Sequence, residues 1–592
     1  MSAPEQPAPA HSASGGWCEL PSGSDAGDAL VAAMAHGGVD YLFFTSGSEI
    51  GFYQEAIAKA RALGKPAPRL ITVTHEHASL NAALGYAAVS GRPAATAAHV
   101  DAGTLHHGGA LHTALHANLP VLITAGFPPT SPSGTSAAAR NAGGHLWLQE
   151  NYDQHAIVRQ YVKWDHRLQA HDNPGLTVSR ALQVALSEPR GPAYLSVAPE
   201  VSMRPAAALR FPDAAALGIT RSASPDPAGV QEIARRLAAA REPRIVVSGS
   251  GRDTRTVAAL VALCEALALP VAHSATRRYL SFPMDHPLMM ADTDLSRADV
   301  VLAIDADVPW VPGPQAPGAD AWVAVISHDP IQLKIPTYEF TAHMRLAADP
   351  LPAIEAIGEA VRGIVTPGDA QRLAQRARRV GEANRAARAT LKEQARAASS
   401  HAPIDPLWLG SQIADFVDDD AIVFDDTLPH NRLYEMLDCR RPGSYFFTPG
   451  TSGGWAPGAA FGAKLAAPGR DVIAVTGDGF YMFGTATAAL WSARHYNAPF
   501  LTVVYQNRSW GTGTRRMAAL YPNGYAQQGG FDGGYFDPPM DFTKEAQAAG
   551  AYGETVHDPL LIMDALRRGL DQVRKGRPAV ISVWLARHLL AD

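Results

Sequence analysis

Cysteine is scarce in this 592-residue chain: Cys18, Cys264 and Cys439 are the only three. They stand far apart and match no zinc or disulfide spacing, which excludes a disulfide framework and a cysteine-built metal site. A reducing, cytoplasmic setting is the expectation. Charge is sparse as well. Asp, Glu, Lys and Arg make up 18% of the residues and the net charge is −6, so the chain lacks the positive excess on which nucleic-acid affinity rests. No apolar run is long enough to cross a membrane. The first residues, MSAPEQPAPAHSASGG, lack the basic and apolar regions of a secretory signal. Residues 1–22 read as a disordered leader.

Hydrophobic residues make up 47% of the chain, enough for several packed cores, and the length suggests about three or four domains. Short apolar, β-branched runs alternate with Ala-rich stretches. Tyr41–Phe44, Leu119–Thr124, Arg244–Ser248, Val300–Ile304, Val472–Thr476 and Phe500–Tyr505 are such runs. Runs of this kind read as buried parallel strands, and the alternation reads as βαβ units. The fold class expected is α/β, with three doubly wound parallel-sheet domains. Pro-rich and polar breaks place them at residues 23–200, 205–365 and 402–592. Residues 366–401, rich in Ala and Arg, read as a solvated linker helix rather than an anion-binding patch.

The densest chemical signal is VIAVTGDGFYMFGTATAALWSARHYNAPFLTVVYQNRSWG, Val472–Gly511. One strand ends at Gly477-Asp478-Gly479, a helix follows, and a second strand ends at Gln506-Asn507. Asp478 and Asn507 are 29 positions apart. Both nevertheless fall just past the carboxyl ends of adjacent parallel strands, the edge where open α/β sheets bind ligands. The flanking glycines allow close backbone approach, and the following helix offers N–H groups to phosphate. A carboxylate, an amide oxygen and a loop carbonyl are hard ligands that suit Mg²⁺. Gly-Asp-Gly alone is ordinary turn chemistry; the whole strand–turn–helix–strand–Asn unit carries the reading.

That unit resembles the motif of the thiamine-diphosphate enzymes. The resemblance implies that Asp478, Asn507 and the Ser509 carbonyl hold Mg²⁺, and that Gly477, Gly479 and Phe480 border the cofactor. Gln506-Asn507 stands where the family has Asn-Asn. The text ALWSARHYNAPF (Ala489–Phe500) is similar to benzoylformate decarboxylase. The likeness spans nearly the whole chain, in the order pyrimidine-binding, middle and diphosphate-binding domain, as in the acetolactate synthase and pyruvate oxidase group. Asp425, Asp426 and Thr427 follow the run AIVF, and the resemblance makes Asp426 and Thr427 cofactor-binding, Thr427 as a diphosphate donor. A helix cap is the competing role for Thr427. In the Gly-rich turn of Gly443–Ala466 the family carries a bulky apolar residue under the cofactor. Gly453 stands there, between Ser452 and Gly454. Either another residue supplies that bulk or the register of the turn differs.

Upstream, ITVTHEHASLNAALGY (Ile71–Tyr86) leads from a β-rich run into an Ala-rich helix at Glu76. Thiamine chemistry needs a proton removed from a ring carbon, which the cofactor's aminopyrimidine accomplishes when a carboxyl group shares a proton with it. A carboxyl group in an apolar pocket is suited to that task. His75-Glu76-His77, with Gly85-Tyr86 downstream, is similar to the family's activating-Glu motif, so Glu76 is implied as catalytic and cofactor-binding. In the family this Glu reaches a cofactor held by another subunit, which implies a homodimer or homotetramer with active sites between subunits.

His99 and Ser48 match a His and a Ser of the decarboxylases and are candidate catalytic residues. His286 matches a decarboxylase His less specifically. His112 and His116 are spaced i, i+4, but no Glu follows His112, so a zinc reading is set aside; His106 or His107 fits better as a residue at the cofactor mouth. Thr512–Phe536, long, aromatic and Gly-rich, reads as an active-site cover. The Ser248–Gly251 turn is not G-x-G-x-x-G. FAD or a CoA nucleotide binds the middle domain of some relatives; here that domain reads as structural. The function expected is a thiamine-diphosphate- and Mg²⁺-dependent lyase or decarboxylase acting on a small carbonyl substrate, a 2-oxo acid or 2-hydroxy-carbonyl compound. The alternatives are an acetolactate synthase-type transferase, which would carry FAD more often, and a cofactor-binding protein without turnover.

Overall fold

A computed structural model of the chain describes residues 16–134, 138–220, 223–274, 276–428, 431–587 and 589. Two compact units result: Met1–Thr220 with Phe461–Ala466, and Arg221–Ala460 with Ala467–Asp592. The first carries a six-stranded, all-parallel sheet in the order Arg69–Thr72, Tyr41–Phe44, Ala94–Ala98, Val121–Gly126, Ala193–Val197, Trp164–Arg167. Ala94–Ala98 and Val121–Gly126 are buried along their whole length, as expected of parallel strands covered on both faces. The helix Glu76–Ser90 is buried on nearly every side and ends at Gly91 in the left-handed region, φ +71°, the usual glycine stop.

The expected leader and first boundary both shift. Residues 1–15 lie outside the described residues, but Trp17–Glu19 pair antiparallel with Arg210–Pro212. Residues 17–22 are therefore partly ordered rather than leader, and the first unit runs to Thr220. Short apolar residues around a polar break concealed this pairing, because a three-residue strand has no periodicity to read.

The second unit carries two all-parallel sheets. The middle sheet has the order Val271–His273, Pro243–Val247, Val300–Ile304, Trp322–Ser327, Met344–Ala347. The strand order reverses between Pro243–Val247 and Val300–Ile304, the place where such sheets form a ligand crevice. Here Arg278, 2% exposed, lies at that edge with Asp305 and Asp307, bonding Asp307 at 3.2 Å. The third sheet has the order Tyr445–Phe447, Ile422–Asp426, Val472–Gly477, Leu501–Gln506, Ala579–Trp584, Tyr552–Val556. All three sheets are doubly wound α/β sheets, in agreement with the expected fold class.

The linker helix spans Ala370–Ala397, but its arginines are not merely solvated. Arg372 donates to the Ala238 carbonyl at 2.9 Å and to Ala240 at 3.3 Å, and Arg376 donates to the Leu267 carbonyl at 3.1 Å. Arg388 reaches the carbonyls of Glu435, Met436 and Leu437 at 3.2–3.4 Å. Those carbonyls close the helices Pro227–Ala239, Arg255–Leu267 and Leu433–Met436. Cations there satisfy orphan carbonyls and complement the negative helix ends. Among the described residues no helix is long and apolar enough to cross a membrane.

Candidate active site

In the second unit, Val472–Gly477 and Leu501–Gln506 pair in parallel with Gly477 opposite Tyr505. Asp478 and Asn507 thus leave adjacent strands at one edge. A cavity of about 100 Å³ there is lined by Asp426, Thr427, Gly477, Asp478, Asn507 and Ser509, among others. Asp478 is 2% exposed. Its carboxylate accepts the Gly479 N–H at 2.8 Å and the Arg508 N–H at 2.5 Å, and no lysine or arginine side chain pairs with it among the described residues. Burial pushes its carboxyl up to about 7. A buried carboxylate bound by backbone N–H groups, with only the field of Arg508 to offset its burial, suits a metal ion. Asn507 Oδ1 accepts from Ser509 N–H and Oγ at 3.0 and 2.9 Å, and Asp478, Asn507 and Ser509 all line the cavity. The donor set fits Mg²⁺. Among the described residues no three His, Cys, Asp or Glu side chains converge to hold a metal, so His112 and His116, whose rings meet edge to face at 4.7 Å, form no such group.

The neighbouring strand end is more specialised than the sequence suggested. Asp426 is fully buried, and its Oδ2 accepts the Gly454 N–H at 2.7 Å, with further backbone bonds from Trp455 and Ala456. It caps the helix Trp455–Ala466, while burial pushes its carboxyl up to about 8. The N–H and hydroxyl of Thr427 both donate to Asp425 Oδ1, at 2.9 and 2.7 Å. The Thr427 hydroxyl proton is therefore directed inward in this conformation, although the residue lines the cavity. The missing bulk at Gly453 has a structural answer. A Cβ at Gly453 would lie 2.2 Å from Cδ1 of Phe480, whose ring occupies that face, and one at Gly454 (φ +93°) would lie 2.4 Å from Gly484 Cα. Glycine is required by close approach at one position and by both approach and φ at the next.

In the first unit, three adjacent strands bring the other candidates to one edge. Ser48 follows Tyr41–Phe44, Glu76 follows Arg69–Thr72, and His99 follows Ala94–Ala98. Glu76 is buried at the start of its helix, with His106 Nδ1 3.5 Å from Oε2. His106 stacks on His75 at 5.5 Å. His107 is buried, and burial, with smaller contributions from the nearby His77, His75 and His106, pushes its ring down to about 3.

Sequence reasoning missed Glu49. Its carboxylate ion-pairs with His99 Nε2, accepts Ser48 Oγ–H at 2.9 Å and accepts Gln149 Nε2–H at 2.6 Å. Burial drives its carboxyl upward, but the bonds from His99, Gln149 and Ser48 outweigh this and bring it down to about 2. The Glu49 bond raises His99 against the effect of burial, and the fields of Asp101 and Glu76 add to it. The only sequence signal was adjacency to Ser48; the Gln149 partner is 100 positions away. His286, by contrast, accepts the Leu288 N–H at 3.1 Å and packs on Phe282 at 4.7 Å. It does not line the cavity around Asp478.

The expected cover has structure of its own. Gly511–Leu520 is a helix, and the end of the segment folds back on the loop after Asn507 through Trp510 N–H to Gly534 O at 2.9 Å and Phe536 N–H to Arg508 O at 2.8 Å. Tyr521 and Tyr525 stand exposed.

Comparison with known proteins places this arrangement. A family model described as the thiamine pyrophosphate enzyme, N-terminal TPP binding domain, matches residues 24–157, and its C-terminal TPP binding counterpart matches residues 430–583. The chain is 30% identical over 459 residues to benzoylformate decarboxylase of Pseudomonas aeruginosa, covering 75% of this chain and 80% of that protein. It is 26% identical over 581 residues to the acetolactate synthase large subunit of Mycobacterium tuberculosis, covering 94% and 95%. In fold it is similar to a 4-hydroxybenzoylformate decarboxylase from Rhodococcus jostii, with a TM-score of 0.76, 22% identity, and 96% and 100% of the two chains covered. Family matches at both ends, the first enclosing Ser48, Glu76 and His99 and the second Asp478, Asn507 and Ser509, with the similarity to benzoylformate decarboxylase, show that the chain belongs to the thiamine pyrophosphate enzyme family.

Proposed function

We propose that the protein is a thiamine-diphosphate- and Mg²⁺-dependent lyase that decarboxylates a 2-oxo acid or cleaves a 2-hydroxy-carbonyl compound. Asp478, Asn507 and the Ser509 carbonyl hold the metal. When bound, the cofactor supplies a carbon nucleophile that adds to the carbonyl group and accepts the electron pair released by C–C cleavage. Glu76 shares its proton with the cofactor's aminopyrimidine, a task favoured by its burial. His99, held cationic by Glu49, is a proton donor, and Ser48 orients the substrate's oxygen atoms. The observation that carries the lyase reading is the Ser48–Glu49–His99 cluster, which puts an imidazole whose charged form Glu49 favours, and a hydroxyl, at the same sheet edge as Glu76. The similarity to benzoylformate decarboxylase supports it. The partnership is a homodimer or homotetramer in which Glu76 of one copy serves the metal site of another. The middle domain takes no flavin in this reading.

The match to acetolactate synthase over nearly the full chain favours a second reading, a carboligase that joins two 2-oxo acids. One assay separates the two. Aryl and alkyl 2-oxo acids are supplied singly with thiamine diphosphate and Mg²⁺, and products are followed by NMR. Aldehyde with CO₂ supports the lyase. Acetolactate from pyruvate with no free aldehyde would replace it with the carboligase.

A further inference from the structure

One strap of the middle sheet reaches the turn that carries Thr427. Beyond Val271–His273 the chain runs alongside Tyr445–Phe447, the edge strand of the third sheet. Phe447 N–H donates to Arg278 O at 2.9 Å, Leu280 N–H donates to Tyr445 O at 3.2 Å, and Tyr279 bridges Phe446 antiparallel. This rung fixes Arg277 at the start of the strap. Its guanidinium lies 4.3 Å from the ring centre of Tyr434 and 5.0 Å from that of Phe447, so two aromatic faces stabilise the cation by cation–π attraction.

The edge strand continues the connection. Tyr445 O–H donates to Asp425 Oδ2 at 2.8 Å, and Asp425 Oδ1 accepts both the N–H and the hydroxyl of Thr427. Asp425 and Tyr445 are fully buried and Thr427 is 3% exposed. A carboxylate so placed must be compensated by donors and a counter-charge, or it takes up a proton. Burial raises the Asp425 carboxyl above its ordinary value; the field of the half-buried Arg277 and the bonds from Thr427 and Tyr445 oppose that rise. A proton on Asp425 Oδ1 would weaken the two bonds that shape the Thr427 turn, and one on Oδ2 would force the Tyr445 hydroxyl to turn from donor to acceptor.

We propose that Arg277 is a positioning residue for the cofactor: a cation from the middle sheet that acts through Tyr445 and Asp425 to fix the Thr427 turn at the diphosphate end of the cavity. The proposal rests on the reading that this cavity takes thiamine diphosphate with Mg²⁺. It gives the middle domain a part in cofactor affinity without a ligand of its own. The groups are contiguous: Arg277 lies over Tyr434, whose ring meets that of Tyr445 at 5.4 Å, and Tyr445 bonds Asp425, the physical form such coupling takes.

The test is a titration of thiamine diphosphate with Mg²⁺ into full-length apoprotein, followed by tryptophan fluorescence, for wild type, R277M, Y445F, D425N and R277M/D425N. R277M and Y445F are expected to weaken Kd about tenfold or more, the range seen when a supporting residue behind a ligand is lost. At saturating cofactor kcat should change little. The double variant should bind no more weakly than the weaker single variant, because both act on one path. Wild-type affinity in R277M, or losses that add in the double variant, would overturn the proposal. Where R277M does not fold, Y445F decides, since it removes one hydroxyl and keeps the ring; wild-type affinity there overturns it equally. A wild-type protein that binds no thiamine diphosphate would overturn the cofactor reading itself, and the proposal with it.

Discussion

The ion pair of Glu49 and His99 sets how the site answers to pH. Glu49, brought down to about 2, contributes stability above its ordinary value of 4.5 and loses it as pH falls towards 2. His99, raised above its ordinary 6.5, contributes fully below that value and loses its share as pH rises through the raised one. The pair therefore stabilises most between about 4.5 and 6.5. A reaction that uses cationic His99 should lose kcat on the alkaline side as that imidazole deprotonates. Glu49→Gln removes the group that raises it, so the alkaline limb of the pH–kcat profile should move to lower pH, while Asp101 and Glu76 keep part of the shift. An unmoved limb would mean that His99 is not the proton donor. Glu76→Gln tests a different step. It should lower kcat by about 10²–10⁴-fold, the usual range for a lost general acid or base, with thiamine diphosphate and Mg²⁺ still bound in calorimetry. Retained activity would remove Glu76 from the mechanism.

At the scale of elements, two packing devices hold the second unit, one at the edge that carries Asp426 and one along the middle sheet. The Gly453–Gly454 turn is pinned by Asp426 at the helix Trp455–Ala466 and touches Phe480 and Gly484. Gly454→Ala adds a methyl group at a left-handed φ and against backbone that cannot yield. It should cost about 2 kcal/mol or more of stability, read as a lower urea midpoint at unchanged m-value. The linker helix is the second device. Arg376 is 5% exposed and caps carbonyls at the ends of two middle-sheet helices. Arg376→Ala removes the guanidinium donor to the Leu267 carbonyl and leaves Ala240 with Arg372 alone, and a loss of about 2–4 kcal/mol is expected in the same experiment. Substitution of the exposed Arg378 on the same helix should change stability by less than about 0.5 kcal/mol.

For the whole molecule, the proposed assembly makes a counting prediction. Glu76 and Asp478 belong to different compact units. If they meet only across subunits, Glu76→Gln and Asp478→Asn proteins should each be inactive alone. Refolded together in equal amounts they should regain about a quarter of wild-type activity, since half the dimers are mixed and each mixed dimer has one intact site. No recovery, with mixed dimers verified by mass, would mean that each chain completes its own site.

Much of this was legible in the residues. The α/β class followed from β-branched runs between Ala-rich stretches, since chemistry and periodicity there are local. The Asp478–Asn507 pair was legible because strand ends are marked by Gly and by the end of apolar runs. Glu76, Ser48 and His99 could be named singly, each at the end of a run. Four features needed the tertiary structure. Glu49 required Gln149 and His99 to be folded against it. Asp426 proved to be a helix cap, which depends on where the Gly454 turn comes to rest. Thr427 proved to donate inward, which depends on Asp425 being buried beside it. The strand Trp17–Glu19, set down as leader, needed a partner almost two hundred residues later. A sequence determines by itself whatever depends on neighbours along the chain: strand, helix, turn and the chemical type of a residue. Which donor meets which acceptor across the sheets depends on distance in space, and only the packed structure decides it.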